Sequence, residues 1–507
     1  MKYLLSLDIG TTSVKAGLFD SEGRCLSIAA QEYLLLTPAA ERAELDPETY
    51  WLASVSTLRQ VISKSGIESN GIVAITVSSQ GETIIVLDEV GKPLLNAIVW
   101  IDNRAVKQAE YLDTVLGKDA YEHTGIPEII PTWPACKILW LKENEPALFA
   151  RTAKFLLVQD YLIYRLTGHY VTDGSISCTT LYFDINRHEW WQDALDEIGI
   201  EKEKLASIQK PGSIAGRLTK ESMDALNLPT PIAVVCGGMD QSVGAIGAGT
   251  IKEGVVSETT GAALAIQVCI DNPLIDDKHQ TPVYVHSIDG MYLFVPVCPT
   301  AGMAFKWFKD NFFLIHNQSE TIQTELDYYE KMNEMSAQIP AGSDGLVMLP
   351  HLMGAFSPES NPFARGSFTG FTLSHTKSHF VRAIQEAVAF MLRQNIEMIQ
   401  HAGVFVKEIR TGGGASRSHI WNQIKADVLN VPIVKLENGD TALVGNAILG
   451  GVAVNVFETI EEGCQKMVQI KSRTFPSKDS AQYEIFFRRY LDLDSTLKEY
   501  FKRNYSI

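Results

Sequence analysis

The chain opens with Tyr3-Leu-Leu-Ser-Leu-Asp8-Ile-Gly10-Thr11-Thr12-Ser-Val14, and an apolar run continues to Asp20. The two apolar segments predict two strands, and the polar segment from Asp8 to Ser13 predicts a tight bend between them. The alternation from Cys25 to Tyr33 predicts a third strand after the next turn. We therefore expect three antiparallel strands at the start of the protein, with Asp8 and a Gly-Thr-Thr run at the first bend.

A second stretch, far along the chain, repeats this plan. An apolar strand, a threonine-rich bend and another apolar strand are predicted by Gly254-Val-Val-Ser-Glu-Thr-Thr260-Gly261-Ala-Ala-Leu-Ala-Ile-Gln-Val268. One spacing differs, because Gly10 precedes its threonine pair whereas Gly261 follows it. Two such units favour a duplicated architecture whose halves face each other. The alternative is that both bends are ordinary solvated turns.

Strands and helices alternate between these two units, which predicts an α/β fold. Asp46 and Pro47 are the residue types of a helix N-cap and first helical position, and Ile72 to Val77 has the composition of a strand. At 507 residues the chain is too long for one ordinary hydrophobic core, so two domains of similar size are expected. Two domains also provide a cleft for a ligand.

The composition excludes several classes of protein. Hydrophobic residues at 46% and charged residues at 21% are ordinary globular values, and the net charge of −16 opposes nucleic-acid binding. Seven scattered cysteines without a Cys-x-x-Cys pair fit a reducing compartment. The start of the chain lacks signal-peptide features, and no stretch reaches the roughly 18 apolar residues of a membrane span. A cytoplasmic protein without a membrane partner is expected.

A glycine-rich segment is the first candidate for nucleotide binding. Thr411-Gly-Gly413-Gly414-Ala415 follows an apolar approach and precedes a helix predicted from about Ser418 to Val428. A strand, a glycine run and a helix N-terminus together let the backbone approach a nucleotide closely. The small, apolar segment from Thr441 to Val454 predicts a buried helix beneath that site.

Asp240 is the second candidate for chemistry. It follows an apolar strand and two glycines in Ala233-Val-Val-Cys-Gly-Gly-Met-Asp240-Gln241, directly before a small-residue helix. Phosphoryl transfer requires donors around the phosphates, a metal ion and a carboxylate that accepts the hydroxyl proton. Asp240 fits the last role, but a plain helix N-cap explains its position equally well, and both interpretations stay open.

Five motifs in the same order resemble the FGGY carbohydrate kinases, the family of xylulokinase, glycerol kinase and gluconokinase. They are Asp8-Ile-Gly-Thr-Thr-Ser, Gly237-Gly-Met-Asp-Gln, Thr260-Gly, Phe363-Ala-Arg-Gly-Ser-Phe-Thr-Gly-Phe-Thr and Thr411-Gly-Gly-Gly-Ala. The resemblance covers about residues 1–460. It implies two ribonuclease-H-like domains of the actin, Hsp70 and sugar-kinase type around an interdomain active-site cleft. The implied ranges are 1–245 for the sugar side, 246–455 for the ATP side and 456–507 for a helical extension packed on the second domain.

The resemblance also implies roles for individual residues with MgATP. Asp240 would be the general base and, with Asp8, would face the magnesium ion. The β- and γ-phosphates would contact Gly10, Thr11, Thr12, Thr260 and Gly261. The adenosine pocket would be lined by Gly413, Gly414 and Ala415, with Asn446 nearby.

The substrate side matches the family less evenly. Ser79-Gln80-Gly81-Glu82-Thr83 resembles the Gln-Arg-Glu-Thr pattern of glycerol kinases, but Gly81 replaces the arginine, which makes glycerol a poor fit. Trp100-Ile-Asp102-Asn-Arg104 resembles an element of xylulokinases and gluconokinases near the sugar. The implied substrate contacts are Gln80, Glu82, Trp100, Asp102, Arg104, Asp240 and Gln241. Core packing of Trp100 and a structural Asp102–Arg104 ion pair are the alternatives.

The sequence thus predicts an ATP-dependent kinase of a small sugar, with D-xylulose as the first candidate and D-xylulose 5-phosphate as the product. Gluconate, another ketose or a polyol such as glycerol remain alternatives. A nucleotide-switched binding protein and a sugar-binding regulator are rivals from other classes, because actin and Hsp70 share the implied core. The oligomeric state stays open, with a homodimer as one candidate.

Overall fold

A computed structural model describes residues 1–276, 281–313 and 325–505. The strands in chain order are β1 (Tyr3–Ile9), β2 (Ser13–Asp20), β3 (Cys25–Glu32), β4 (Glu44–Leu45), β5 (Ile72–Ser79), β6 (Ile84–Leu87), β7 (Ala97–Ile98), β8 (Lys154–Leu157), β9 (Val171–Asp173), β10 (Phe183–Asp184), β11 (Glu189–Trp190), β12 (Ser207–Gln209), β13 (Ile214–Arg217), β14 (Ala233–Met239), β15 (Gly254–Thr260), β16 (Leu264–Ile270), β17 (Val283–Val285), β18 (Tyr292–Phe294), β19 (Val297–Cys298), β20 (Val347–Leu349), β21 (Ser367–Thr369), β22 (Val406–Gly412), β23 (Ile433–Leu436) and β24 (Ile470–Thr474).

The helices in chain order are α1 (Pro47–Ser65), α2 (Val106–Thr124), α3 (Pro134–Asn144), α4 (Pro146–Arg151), α5 (Val158–Thr167), α6 (Gly174–Ser177), α7 (Gln192–Ile198), α8 (Lys220–Leu226), α9 (Asp240–Gly247), α10 (Gly302–Phe308), α11 (Glu325–Ala337), α12 (Lys377–His401), α13 (His419–Leu429), α14 (Thr441–Ala453), α15 (Ile460–Met467) and α16 (Ser480–Tyr505). Within the described ranges, none of these helices has the length and apolar character needed to cross a bilayer.

The first half of the chain forms a six-stranded sheet in the order β13-β14-β5-β1-β2-β3. The predicted antiparallel arrangement of β1, β2 and β3 is confirmed. Strands β1, β5 and β14 run parallel, with Asp8 opposite Ser78 and Ser79 opposite Met239. Because the carboxyl ends of parallel strands meet at one edge, the residues that follow β1, β5 and β14 share that edge.

The second half forms an eight-stranded sheet in which β15 lies between β16 and β22. Strands β15 and β16 are antiparallel, as in the first hairpin, whereas β15 and β22 are parallel, with Thr259 opposite Gly412. The bend after Thr260 and the glycine run after β22 therefore reach the same edge of this sheet. Both halves thus present a hairpin bend beside the end of a parallel strand.

Helix α14 is buried as expected, but it does not lie beneath the glycine run. Its apolar side chains pack with Leu4 and Phe19 of the first sheet and with α9. The reason is its glycine content: a Cβ at Gly445 would lie 2.0 Å from the backbone oxygen of Val243 in α9. Glycine permits this close helix–helix contact, and the contact attaches a late segment of the chain to the first sheet.

The helix ends follow the signals in the sequence. The Asp46 side chain accepts a hydrogen bond from the Glu48 amide at the start of α1, and the Ser418 side chain caps α13. Helix α16 packs against α12 and α13. The segment after residue 455, expected to be a helical extension, also supplies β24 to the edge of the second sheet.

Candidate active site

Asp8 occupies the carboxyl end of β1, where the first hairpin bend begins. Its Oδ1 accepts a 2.7 Å hydrogen bond from the Ser78 hydroxyl, and burial raises the pKa of Asp8 to about 6. Asn446 lies directly behind this pair, because its Nδ2 donates to Ser78 Oγ over 2.8 Å and to the Leu7 carbonyl over 3.1 Å. The structure therefore brings Asn446 of α14 to Asp8, and not to the glycine run after β22.

Asp240 is the first residue of α9 and follows β14 at the same edge. The Gln241 amide donates to its Oδ1 over 2.6 Å. Burial raises the pKa of Asp240 to about 8, and the negative charges of Asp8 and then Glu82 add to this increase. The three carboxylates are therefore neighbours, although Asp8 and Asp240 are separated by more than 200 positions in the sequence.

Glu82 forms the third member of this acidic cluster. Burial raises its pKa to about 7, and the charge of Lys137 opposes that shift. Burial also lowers the pKa of Lys137 to about 7, and its ammonium group donates to the carbonyl oxygens of Glu82 and Val99, each over 3.1 Å. Lys137 was missed in the sequence because nothing in its own helix identifies a buried lysine.

Two glutamine side chains next to the cluster have unsatisfied acceptors. Gln80 Nε2 donates to the Tyr50 hydroxyl over 3.2 Å, but the buried oxygens Gln80 Oε1 and Gln241 Oε1 have no hydrogen-bond partner within the described residues. A buried acceptor without a donor is costly, so such atoms suit a ligand that brings hydroxyl groups.

Trp100, Asp102 and Arg104 form a rigid connection beside the hairpin bend. Asp102 is fully buried, and its two oxygens accept four hydrogen bonds from Arg104 and the Ala43 amide. Arg104 also donates to Glu44 over 2.6 Å. This is the structural ion pair that the sequence left as the alternative, so direct binding of a hydroxyl by Asp102 has no support in the geometry. Trp100 Nε1 instead donates to Thr11 Oγ1 over 2.8 Å, and this hydrogen bond fixes the Thr11 side chain in the first bend.

The bend of the second half rests on a buried ion pair. Lys425 Nζ lies 2.6 Å from Glu258 Oε1 and 2.8 Å from Thr260 Oγ1, and the side chains of Lys425 and Glu258 are both 0% exposed. The Thr260 hydroxyl in turn donates to Glu258 Oε2 over 2.7 Å, and Thr411 donates to the same carboxylate. The single proton of the Thr260 hydroxyl is thus used inside the protein, and the backbone of Thr260 is the part left to donate a hydrogen bond to a ligand.

Gly413 lets the glycine run contact this bend. Its φ is +74°, and a Cβ there would lie 2.6 Å from the Thr260 carbonyl oxygen. Only glycine combines a left-handed backbone with so close an approach. Gly413 therefore joins β22 to the Thr260–Gly261 bend.

A cavity of about 420 Å³ opens at this junction. Thr260, Gly261, Gly414 and Ala415, four of the residues predicted to bind nucleotide, line it together. The sequence did not identify the other lining residues, among them the aromatic side chains of Phe305, Tyr329 and Trp421 and the polar side chains of Asn333, Arg417 and Ser418. Aromatic walls with a few polar groups are typical of sites for a planar ring.

Models of known families match both halves of the chain. The N-terminal domain of the FGGY family of carbohydrate kinases matches residues 3–247, and the C-terminal domain matches residues 270–454. The chain belongs to the FGGY family of carbohydrate kinases. It is therefore a kinase that acts on a small carbohydrate, and the predicted α/β fold with two ribonuclease-H-like domains is confirmed.

Individual relatives of this carbohydrate kinase differ in their substrates. The xylulose kinase of Bacillus subtilis is 29% identical over 99% of this chain and 100% of its own length. The gluconokinase of the same organism is 30% identical over 98% and 96% of the two chains. The structure of a ligand-bound xylulose kinase from Lactobacillus acidophilus superimposes with a TM-score of 0.88 at 27% identity, covering 98% of each chain. Similarity alone therefore leaves the substrate of this kinase undecided.

Proposed function

We propose that this kinase transfers the γ-phosphoryl group of ATP to a hydroxyl of D-xylulose, giving D-xylulose 5-phosphate. The observation that carries the proposal is the pair of half-buried carboxylates, Asp8 and Asp240, which interact at the shared edge of β1 and β14. Full-length similarity to enzymes named xylulose kinase supports the choice of sugar.

Asp240 would accept the proton of the attacking hydroxyl. Burial and the negative charge of Asp8 raise the pKa of Asp240 in the metal-free site, which makes its carboxylate a better proton acceptor than that of an exposed aspartate. The N-cap alternative does not hold, because Met239 is the N-cap of α9 and Asp240 is the first residue of the helix. The metal-free pair is itself unfavourable, since each carboxylate disfavours ionisation of the other.

The two carboxylates also fit a magnesium ion that accompanies ATP. Magnesium prefers oxygen ligands and retains water, and it is commonly held by one or two carboxylates together with phosphate oxygens. Asp8 and Asp240 are the protein ligands we propose, because their carboxylates interact at the edge that faces the two bends. The ion would neutralise charge that develops on the phosphates.

The nucleotide would bind where the glycine run meets the Thr260–Gly261 bend, with its phosphates towards the bend of the first hairpin. We propose that adenosine occupies the 420 Å³ cavity beside Gly414 and Ala415, with Gly413 joining that wall to the phosphate site. The phosphates would contact the backbone at Gly261 and Thr260, since the Thr260 hydroxyl is used by Glu258 and Lys425. The opposite bend would contribute Gly10, Thr11 and Thr12.

The sugar would bind against Gln80, Glu82 and Gln241, whose side-chain oxygens would accept hydrogen bonds from its hydroxyl groups. A Cβ at Gly81 would lie 2.8 Å from Thr179 Oγ1, so Thr179 fills the space next to the position where glycerol kinases have arginine. Without that guanidinium, glycerol loses a bidentate donor. We therefore expect a longer polyhydroxylated substrate.

Charge favours a neutral sugar over the alternative substrate gluconate. A gluconate carboxylate would enter a site whose three carboxyl groups, Asp8, Glu82 and Asp240, already have raised pKa values. The neighbouring cations are used elsewhere, because Arg104 pairs with Asp102 and Lys137 donates to carbonyl oxygens. Lys15, whose charge acts on Asp8, pairs with Asp440. An additional negative charge there would be poorly compensated.

We propose domain boundaries at residues 245 and 455 and a cytoplasmic location. All seven cysteines are free, and six are buried, which supports a reducing compartment. A homodimer is the assembly we propose to examine first.

The decisive experiment is Asp240→Asn in a coupled ATP-consumption assay with pentuloses, hexonates and polyols. We expect D-xylulose to be the best substrate of the unmodified enzyme and turnover of the variant to fall by about 10²- to 10⁴-fold, as for loss of a positioned base. Asp224→Asn, an exposed aspartate of α8, is the matched control and should remain fully active. Near-normal turnover of Asp240→Asn would remove Asp240 from the role, and preference for gluconate or glycerol would refute the proposed substrate.

A further inference from the structure

A buried polar network holds the loop that precedes Asp240 from behind. The Gly238 amide donates to Gln159 Oε1 over 2.5 Å, and the Met239 amide donates to Ser175 Oγ over 3.2 Å. Gln159 and Ser175 are themselves fully buried. The two amides that lead into Asp240 are thus bound by side chains from two other segments of the first half.

Asp173 fixes the direction of both of these hydrogen bonds. Its Oδ2 accepts from Gln159 Nε2 over 2.7 Å, and its Oδ1 accepts from the Ser175 amide over 2.8 Å and from the Ser175 hydroxyl over 2.5 Å. A carboxylate only accepts, so Gln159 must turn its NH₂ group to Asp173 and its oxygen to Gly238. The Ser175 proton likewise points to Asp173, which leaves its oxygen free to accept from Met239.

The second half of the chain completes the network from the other side. The Ser287 hydroxyl donates to Ser175 Oγ over 3.0 Å, and the Ser287 amide donates to Ser242 Oγ in α9 over 2.6 Å. Burial lowers the pKa of His286 to about 4, so this imidazole is neutral. Its Nε2 donates to the Thr250 carbonyl over 3.1 Å, so its Nδ1 accepts from the Ser242 hydroxyl. Each hydrogen bond in the network therefore has a defined donor and acceptor.

The backbone at Gly238 is adapted to this network. Its φ is +116°, and a Cβ there would lie 2.1 Å from Ser175 Oγ and 2.4 Å from Ser287 Oγ. Glycine allows the loop to press against the two hydroxyl groups, which a larger residue would push apart. The loop conformation and the network therefore depend on each other.

We propose that Asp173 is a positioning residue for the phosphoryl-transfer site: through Gln159 and Ser175 it holds the Gly238–Met239 backbone so that Asp240 faces Asp8. This inference rests on the role proposed above for Asp240. Asp173 is too deeply buried to touch a substrate, since its side chain is 0% exposed and enclosed by its three donors. Its effect on catalysis is therefore transmitted by the loop.

A purely structural role is the competing explanation. Asp173 is also the N-cap of the short helix α6, and its bond to the Ser175 amide is an ordinary capping bond. A cap alone would influence stability and leave the chemistry of the folded enzyme unchanged. The two explanations therefore differ in what happens to kcat in molecules that are folded and bind substrate.

The test begins with Asp173→Asn. An amide at position 173 cannot satisfy both Ser175 and Gln159. If its oxygen accepts from Ser175, its NH₂ group faces the NH₂ group of Gln159. Gln159 can avoid this clash only by rotating its side-chain amide, which then places its NH₂ group against the Gly238 amide. With the reverse orientation, the NH₂ group opposes the Ser175 amide. We expect kcat to fall by about 10²-fold, as for a misplacement of roughly 1 Å at a reacting group, with KM for sugar and ATP changed less than about 3-fold.

The double variant Gln159→Glu with Asp173→Asn exchanges the carboxylate and the amide between the two positions. The amide at position 173 then donates its NH₂ group to one oxygen of the carboxylate at position 159. The other oxygen of that carboxylate accepts from the Gly238 amide, and the amide oxygen at position 173 accepts both hydrogen bonds from Ser175. We expect kcat to recover to within about 5-fold of the unmodified enzyme, since each bond to the loop is restored. Asp160→Asn, a change at a buried carboxyl group of the same helix as Gln159, is the matched control and should leave kcat unchanged.

Three results would overturn the proposal: kcat of Asp173→Asn within about 3-fold of the unmodified enzyme, loss of activity entirely through KM, or no recovery in the double variant despite an unchanged melting temperature. If Asp173→Asn fails to fold, the double variant alone decides, because it retains every hydrogen bond to the loop. Failure of the proposed function looks different. In that case Asp240→Asn itself keeps normal turnover, whatever the Asp173 variants do.

Discussion

The buried pair of Lys425 and Glu258 beneath the second bend makes the sharpest stability prediction. We expect Lys425→Met to lower the free energy of unfolding by about 3–5 kcal/mol, the usual cost of leaving one partner of a buried ion pair without the other. The structure supports this value, because both side chains are 0% exposed. Lys425 also supplies two hydrogen bonds, to Glu258 and to the Thr260 hydroxyl, and methionine supplies neither.

Urea unfolding followed by circular dichroism measures this effect. With a slope of about 2 kcal/mol per molar urea, the loss corresponds to a midpoint lower by roughly 1.5–2.5 M for the transition of the second half. Lys471→Met is the matched control, because its 3.1 Å pair with Glu437 has both side chains about half exposed. Exposed pairs contribute about 0–1 kcal/mol, so the control midpoint should barely move.

A second variant separates charge from packing. Glu258→Gln combined with Lys425→Met removes both charges, and we expect it to be more stable than Lys425→Met alone, since no ion is left unpaired. The reasoning is refuted if Lys425→Met costs no more than the Lys471→Met control. It is also refuted if the double variant is as unstable as the single one, because the loss would then come from packing.

Two further predictions concern a backbone position and a buried acid. Gly413→Ala should weaken ATP binding at least about 10-fold in calorimetry, because its φ is +74° and its Cβ would meet the Thr260 carbonyl, whereas Gly439→Ala, which faces open space, should bind normally. Equal affinities would contradict this. Burial raises the pKa of Asp160 from 3.8 to about 8, so the folded state holds a proton that the unfolded state releases, and stability falls as pH rises from about 4 to about 8. The thermal stability of Asp160→Asn relative to the unmodified enzyme should therefore increase over that range. A difference in melting temperature that does not change with pH would exclude the protonation of Asp160 as its cause.

Local patterns in the chain were sufficient for the first hairpin, for β14 and for the caps of α1 and α13. The two apolar segments that flank the polar bend at Asp8 predicted the first hairpin, and the apolar run before Asp240 predicted β14, because each pattern depends only on neighbouring residues. Their convergence could be expected from the rule that parallel strands end at one edge. The glycine run before Ala415 likewise indicated a close backbone approach, and Gly413 has the left-handed conformation that such an approach uses.

The partners of the buried charged groups could not be predicted. Lys425 and Glu258 are 167 positions apart, and neither stands in a local pattern that distinguishes it from a surface residue. The aromatic wall of the cavity, Phe305, Tyr329 and Trp421, comes from three different helices. Its residues have ordinary core spacing in each helix, so only their assembly distinguishes them.

The amino-acid sequence alone predicted the fold class, the repeated hairpin plan and, through its motifs, membership of a carbohydrate kinase family, because strand period, turn chemistry and motif residues are properties of short stretches of chain. Tertiary structure alone decided that Asn446 lies behind Asp8, that Asp102 is held by Arg104, and that the Asp240 loop depends on Asp173. The physical reason is that a side chain's partner, burial and protonation depend on segments brought together only when the chain is folded.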